Sequence, residues 1–193
     1  MESTVSPQHA PDRPAAPVRI VPWSQGDLEL LHRANAPELM DHLGGPESDE
    51  QLALRHARYT LLSADRTGKG RMYRVVLAAD GEDAGTIGFW QRTWQGQEVY
   101  ETGWAVLPGF QGLGVATAAT RAVAAAARAE RRHRYLHAYP SVENGASNAV
   151  CRKAGFELRG TCELEYPPGN PMRSNDWRLD LGPVDTPDGI LTG

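Results

Sequence analysis

Residues 104–117 read Trp104-Ala-Val-Leu-Pro-Gly-Phe-Gln111-Gly-Leu-Gly114-Val-Ala116-Thr117, and the periodicity of the chain changes here. The residues before this point, 98–107, favour a strand. Residues 112–130 are almost all alanine, valine, threonine and arginine, which together favour a helix. Pro108 ends the strand because its nitrogen carries no hydrogen. The segment therefore predicts a strand–loop–helix unit.

The loop of this unit has small residues at alternate positions, Gly112, Gly114 and Ala116, which allow its backbone to approach a ligand closely. The first amides of a helix have no intrahelical acceptor and lie at the positive end of its dipole, so they can bind a phosphate. The pattern is neither a dinucleotide fingerprint nor a P-loop. On spacing alone, an ordinary strand–helix connection is as good an interpretation as a phosphate site.

Around this unit the sequence predicts one α/β domain over residues 18–182, with disordered tails at 1–17 and 183–193. The predicted element order is β-α-α-β-β-β-α-β-α-β-β. Ser48 and Asn144 are expected to cap helices, Gly155 is expected to end the helix that follows Asn144, and the last strand is expected over residues 176–181. The central sheet is expected to be mixed and mostly antiparallel, with about seven strands flanked by helices. The three strands over residues 72–107 are expected to form an antiparallel meander.

Composition excludes several classes of protein. The net charge of −4 over 193 residues gives no reason to expect nucleic acid or an anionic membrane as partner. The two cysteines are expected to be reduced thiols, which favours a cytoplasmic location. No His/Cys/Asp cluster has the spacing of a metal site, so no metal is expected.

Two motifs resemble a known family. Gln111-Gly-Leu-Gly114-Val-Ala116 resembles the Gln/Arg-x-x-Gly-x-Gly/Ala signature of the GNAT acetyltransferases. Asn144-Gly-Ala-Ser147 followed by Gly155-Phe156 resembles the Asn-x-x-Ser…Gly-Phe segment of the ribosomal-protein N-terminal acetyltransferase branch. The resemblance implies the GNAT fold, acetyl-CoA as cosubstrate and an amine as acceptor.

The resemblance also implies a set of residues around the cofactor. The strand before the loop would separate from its neighbour and pair with the pantetheine arm, while the loop amides bind the pyrophosphate. Asn144 and Ser147 would lie near the thiol. The cofactor-binding residues implied in this way are Trp104, Ala105, Val106, Gln111, Gly112, Leu113, Gly114, Val115, Ala116, Thr117, Asn144 and Ser147.

Acyl transfer to an amine needs an acceptor for the amine's proton, stabilisation of the oxyanion and a proton for the leaving thiolate. In much of the superfamily a tyrosine protonates the thiolate, but that position here is Cys151, which we interpret as a small packed residue. In the branch that the chain resembles, a serine takes this role, which implies Ser147. Glu101 is the first candidate base and Glu165 the second. The missing tyrosine keeps open a non-catalytic CoA-binding or interaction module.

Three further questions stay open at this stage. His137, on the strand before Asn144, is either structural or catalytic. The aromatic residues of two adjacent strands belong to the core, line an acceptor cleft or pack in a homodimer; they are Phe89, Trp90, Trp94, Tyr100 and Trp104. The acceptor is either a small-molecule amine or a protein N-terminus.

Overall fold

The computed structural model describes residues 16–166 and 168–184, which form one seven-stranded sheet with the order β1-β2-β3-β4-β5-β7-β6. The strands are β1 (Val18–Pro22), β2 (Gly70–Leu77), β3 (Asp83–Trp94), β4 (Gln97–Val106), β5 (Tyr135–Ala138), β6 (Glu157–Glu165) and β7 (Pro171–Asp180). The α-helices are α1 (Leu28–Ala34), α2 (Pro37–Met40), α3 (Asp49–Ala64), α4 (Val115–Ala129) and α5 (Gly145–Lys153). The predicted fold class is confirmed, but three α-helices rather than the predicted two lie between β1 and β2, because Pro37 begins α2 as a separate short helix.

The direction of the strands follows the prediction of a mostly antiparallel sheet. Strands β2, β3 and β4 form the expected meander, and only β4 and β5 are parallel. Parallel neighbours need a long crossover, and α4 provides it. The sheet therefore changes direction at the strand–loop–helix unit.

Two element boundaries differ from the prediction. Strand β7 begins at Pro171 rather than at Asp176, because residues 171–175 already pair with β6 in a hairpin. A proline is tolerated at the first residue of a strand, so Pro171 can begin β7 although it cannot donate to the ladder. Helix α4 begins at Val115 rather than at residue 112, because Gly112 and Gly114 have positive φ angles of 73° and 78°.

Local end signals of two helices are confirmed. Ser48 caps α3, accepting a hydrogen bond from the Gln51 amide at 3.3 Å, while the Gln51 side chain accepts one from the Ser48 amide at 2.8 Å. Asn144 caps α5, and Gly155 ends that helix with a φ of 91°. Both signals are local, so they could be identified without the tertiary structure.

The two faces of the sheet have separate cores. On the α4 face, Phe89, Tyr100 and Leu136 are fully buried under Ala119 and Val123. On the α3 face, a smaller cluster packs beneath α1 and α3; its buried members are Trp23, Leu30, Leu31, Leu52, Met72 and Leu107. Neighbouring residues of β4 alternate between these faces. Glu101 therefore lies on the α3 face, opposite to Tyr100.

The chain ends are only partly described. The Ala16 amide donates to the Leu113 carbonyl at 2.9 Å, and the Pro17 carbonyl accepts from the Ala78 amide at 2.9 Å. Ala16 and Pro17, which belong to the predicted N-terminal tail, thus bond to the loop and the sheet. Of the predicted C-terminal tail, only Pro183 and Val184 are described. The rest of both predicted tails lies outside the described residues. Within the described residues, no helix is long and apolar enough to cross a membrane.

Candidate active site

The sheet opens between β4 and β5. The parallel ladder joins only Tyr100 to Leu136 and Glu101 to His137, whereas β4 stays paired with β3 as far as Val106. After β5 the chain follows β7 instead, through a bridge between Ser141 and Ser174. Within the described residues, 102–106 therefore have no ladder partner on the β5 side. Such an edge can hydrogen-bond an extended ligand.

The loop after this strand leaves a row of amides without acceptors. Among the described residues, none accepts a hydrogen bond from the amides of residues 112–117. A Cβ on Gly112 would meet no atom within 4 Å, so the space above the loop is open. Gly114 is the left-handed N-cap of the 15-residue helix α4. Open space, free amides and a helix dipole together fit a pyrophosphate.

Only part of each loop residue can face a ligand. The side chains of Val115 and Thr117 are buried, at 1% and 8% exposure, so these residues offer only their backbone amides. The half-buried Leu113 packs on the main core. Gln111 is exposed, but its Nε2 donates to the Val106 carbonyl at 3.0 Å. Gln111 therefore ties the loop to the end of β4, a role that the sequence analysis did not identify.

On the other side of the opening, α5 begins with Asn144. Its Oδ1 accepts a hydrogen bond from the Ser147 amide at 2.9 Å, while the Ser147 hydroxyl bonds no described residue. Asn148 anchors the helix, because its Oδ1 accepts from Trp177 Nε1 at 2.8 Å and its Nδ2 donates to the Ser141 carbonyl at 2.9 Å. Ser147 is thus held on a fixed helix turn with a free hydroxyl.

Glu101 lies at the vertex of the opening, as the last residue of β4 that pairs with β5. Its Oε2 accepts from Arg92 Nη1 at 2.6 Å, and its side chain is 19% exposed. Glu98 occupies the opposite face, as its parity predicts, and bonds Gln91 and Thr93. Of the two glutamates on β4, only Glu101 faces α3.

Glu165 lies apart from this vertex. It is exposed at the end of β6, where its Oε2 accepts from the Gly169 amide at 3.2 Å. Strands β5 and β7 lie between β4 and β6 in the sheet. Within the sheet, β4 and β6 are therefore three strand spacings apart, or about 14 Å in total. The structure does not bring Glu165 and Glu101 together.

A group of side chains beside Glu101 was not assembled by the sequence analysis. We call it the vertex cluster, and it consists of Arg92, Trp94, His137, Tyr139 and Asp176. His137 Nδ1 lies 2.7 Å from Asp176 Oδ1, and Trp94 Nε1 donates to Asp176 Oδ2 at 3.0 Å. The Arg92 guanidinium lies over the Tyr139 ring at 4.8 Å. These residues come from β3, from β5 and the residue that follows it, and from β7. From the sequence, only the alternation of side chains along each strand could have indicated that they share a face.

Comparison with known proteins decides the family. Residues 18–157 match the model of the acetyltransferase (GNAT) domain. The chain belongs to the GNAT acetyltransferase family. Membership makes it an N-acetyltransferase with acetyl-CoA as cosubstrate, so the predictions of family, activity class and cosubstrate are confirmed. No curated protein matches the chain.

Solved GNAT structures share the fold. An acetyltransferase of Salmonella typhimurium that modifies the N-terminal serine of ribosomal protein L7/L12 is 21% identical, with a TM-score of 0.67 over 84% of this chain and 94% of that one. A spermidine N-acetyltransferase of Vibrio cholerae, with CoA and spermine, is 16% identical, with a TM-score of 0.67 over 85% and 95%. An aminoglycoside acetyltransferase with coenzyme A is 19% identical, with a TM-score of 0.67 over 85% and 95%. Three acceptor classes on one fold leave the acceptor of this GNAT protein undecided.

Cys151, at the position where much of the family has a tyrosine, is inaccessible. It is 0% exposed within the main core, and burial raises the pKa of its thiol to about 12. The interpretation of Cys151 as a packed residue is confirmed. Within the described part of the chain, no group of His, Cys, Asp and Glu could hold a metal ion.

Proposed function

We propose that this GNAT protein transfers the acetyl group of acetyl-CoA to a primary amine, which attacks the thioester directly. The observation that carries the proposal is the unpaired edge of β4 next to the free amides of the loop. One ligand with a pyrophosphate and an extended amide-containing arm would satisfy both. Acetyl-CoA has these parts, and when bound it supplies an activated thioester carbonyl.

The donor would be held mainly by backbone groups. The amides of residues 112–117 would bind the pyrophosphate, and the free edge over Trp104, Ala105 and Val106 would pair with the pantetheine arm. An amide near Val106 would polarise the carbonyl as the oxyanion develops. Asn144, at the start of α5, would lie near the sulfur. Because the donor would contact mainly backbone amides, the side chains of Val115 and Thr117 can be buried without loss of the site.

Two side chains would move the protons. The free Ser147 hydroxyl would donate to the leaving thiolate, and Glu101 would accept a proton from the amine. The position of Glu101 at the vertex supports its assignment as the base. The distance of Glu165 from β4 makes it the weaker candidate for this role. The family supports this enzyme over a non-catalytic module.

For the acceptor we favour a small-molecule amine over a protein N-terminus. Arg55 of α3 donates to the Tyr166 hydroxyl at 3.0 Å and pairs with Glu47 at 2.8 Å. Because α3 packs on β2 and Tyr166 follows β6, this contact crosses the face on which Glu101 lies. It narrows access to the vertex, which suits a compact acceptor better than an extended peptide. The cytoplasmic location and the homodimer stay predictions.

A screen with released thiol as readout tests the proposal. Acetyl-CoA would be offered with spermine, with kanamycin and with a peptide that begins with serine. We expect at least one small amine to release CoA faster than hydrolysis does, and the peptide to react more slowly. If acetyl-CoA binds but no amine or peptide is acetylated, the proposal is wrong and the non-catalytic module takes its place.

A further inference from the structure

The strongest feature outside the roles assigned so far is the pair of His137 and Asp176 in the vertex cluster. Both are buried, at 4% and 6% exposure, and the distance from Nδ1 to Oδ1 is 2.7 Å. The other carboxylate oxygen accepts from Trp94 Nε1 at 3.0 Å. A carboxylate held by two donors orients an imidazole in one way, with the hydrogen on Nδ1.

This arrangement leaves Nε2 of His137 with a lone pair. Asp176 lies on β7, and the two nitrogens of an imidazole point in different directions, so Nε2 points away from β7. Nε2 bonds no described residue. His137 is also the register partner of Glu101 across the vertex, and direct partners share a face. Two proton acceptors therefore lie side by side where the sheet opens.

A second, independent observation indicates that something polar binds here. Tyr139 is 8% exposed and stacks on His137, with ring centroids 5.7 Å apart. Its hydroxyl is buried and has no hydrogen-bond partner among the described residues. A buried hydroxyl without a partner costs about 1–3 kcal/mol, so a ligand or water that satisfies it is favoured. The vertex cluster thus presents an unsatisfied polar group next to the two acceptors.

The chemistry needs two proton removals. An alkylamine is mostly an ammonium ion at neutral pH, and acetylation converts its nitrogen from three N–H bonds to one. One proton must leave before the nitrogen lone pair attacks the thioester carbon. The other leaves the tetrahedral adduct as the C–S bond breaks. The thiolate takes up one proton in all, and the second is released to water.

We propose that His137 is a second proton acceptor beside Glu101, through Nε2, and that Asp176 is its positioning residue. The inference rests on the proposed amine acetylation and assigns the two removals to two groups. The charged and titratable groups on the same face as His137 are Tyr135 and Tyr139 of its own segment, Arg92 on β3, Glu101 on β4, Cys162 on β6, and Asp176 and Arg178 on β7. The formal charges of the two carboxylates and the two guanidinium groups cancel around His137.

The tautomer can be measured without any acceptor. Nitrogen-15 NMR of the imidazole groups, on the full chain with CoA, would be assigned by the loss of one signal in His137→Gln. In the neutral imidazole we expect hydrogen on Nδ1 and a lone pair on Nε2. Hydrogen on Nε2 in the neutral imidazole would overturn the proposal. This readout is independent of turnover, so its failure is distinct from failure of the screen.

Kinetics then test the role. With the best acceptor of the screen, His137→Gln should lower kcat about 10- to 100-fold at neutral pH and recover in part as the pH rises, because free amine accumulates. His133→Gln is the matched control, since His133 is also buried, at 9% exposure, but packs against Tyr100 on the other face. Asp176→Asn should shift the His137 tautomer and lower kcat with little change in the affinity for acetyl-CoA. Equal losses in His137→Gln and His133→Gln, with unchanged pH profiles, would contradict the proposal.

Discussion

Replacing Gly114 with glutamate tests the acetyl-CoA site, and the structure sets the size of the effect. Gly114 has a φ of 78°, so any other residue there costs about 1–2 kcal/mol of folding free energy. That cost lowers the Tm by about 2–8 °C for a domain of this size. A carboxylate roughly 5 Å from a phosphate charge, at an effective dielectric constant of about 20, adds about 3 kcal/mol of repulsion. The Kd should therefore rise about 100-fold.

Thermal unfolding with and without acetyl-CoA measures this change. At a concentration of about 100 times the wild-type Kd, the cosubstrate stabilises the protein by about 2.7 kcal/mol. The corresponding rise in Tm is about 5–11 °C. In Gly114→Glu the same concentration only equals the Kd, which leaves about 0.4 kcal/mol of stabilisation and a rise of about 1 °C.

Gly96→Glu is the matched control. Gly96 has the same φ of 78°, a Cβ there would meet no atom within 4 Å, and its turn lies at the opposite end of β4 from the loop. It should lose stability to a similar extent yet keep the full shift with acetyl-CoA. A folded Gly114→Glu protein that also keeps the full shift would place the donor site elsewhere.

Three further predictions concern single side chains. Ser147→Ala should lower turnover about 10- to 100-fold with nearly unchanged acetyl-CoA affinity. Cys151→Ala should leave turnover intact, because the Cys151 thiol is buried and protonated. The reverse ranking in steady-state assays would assign the role of the acid to the thiol. The Glu101→Gln variant should have a lower rate at neutral pH that recovers in part as the pH rises, whereas Glu165→Gln should leave the pH–rate profile unchanged. A changed profile in Glu165→Gln alone would assign the base to β6. No change in either variant would mean that the amine reaches the site already neutral. Ser48→Ala should cost about 1 kcal/mol of unfolding free energy, because it removes the cap of α3; denaturant titration would expose an error if the midpoint stayed constant.

The vertex cluster shows why part of the site could not be found from sequence. His137 and Asp176 are 39 residues apart, and Trp94 and Asp176 are 82 apart. Nothing local links them, because their contacts depend on strand order and on which face each side chain occupies. The separation of Glu165 has the same origin. Strand β7 pairs between β5 and β6, and the chain order does not reveal that insertion.

The sequence by itself determined the features that reside in a few consecutive residues. The caps at Ser48 and Asn144, the small residues of the loop and the change from strand to helix periodicity follow from local backbone chemistry. These features were sufficient to indicate the family and its cosubstrate. Tertiary structure alone decided where β4 leaves β5 and what lies on the α3 face beneath Arg55 and Tyr166. Strand pairing and side-chain packing are long-range, so acceptor recognition depends on contacts that no single segment encodes.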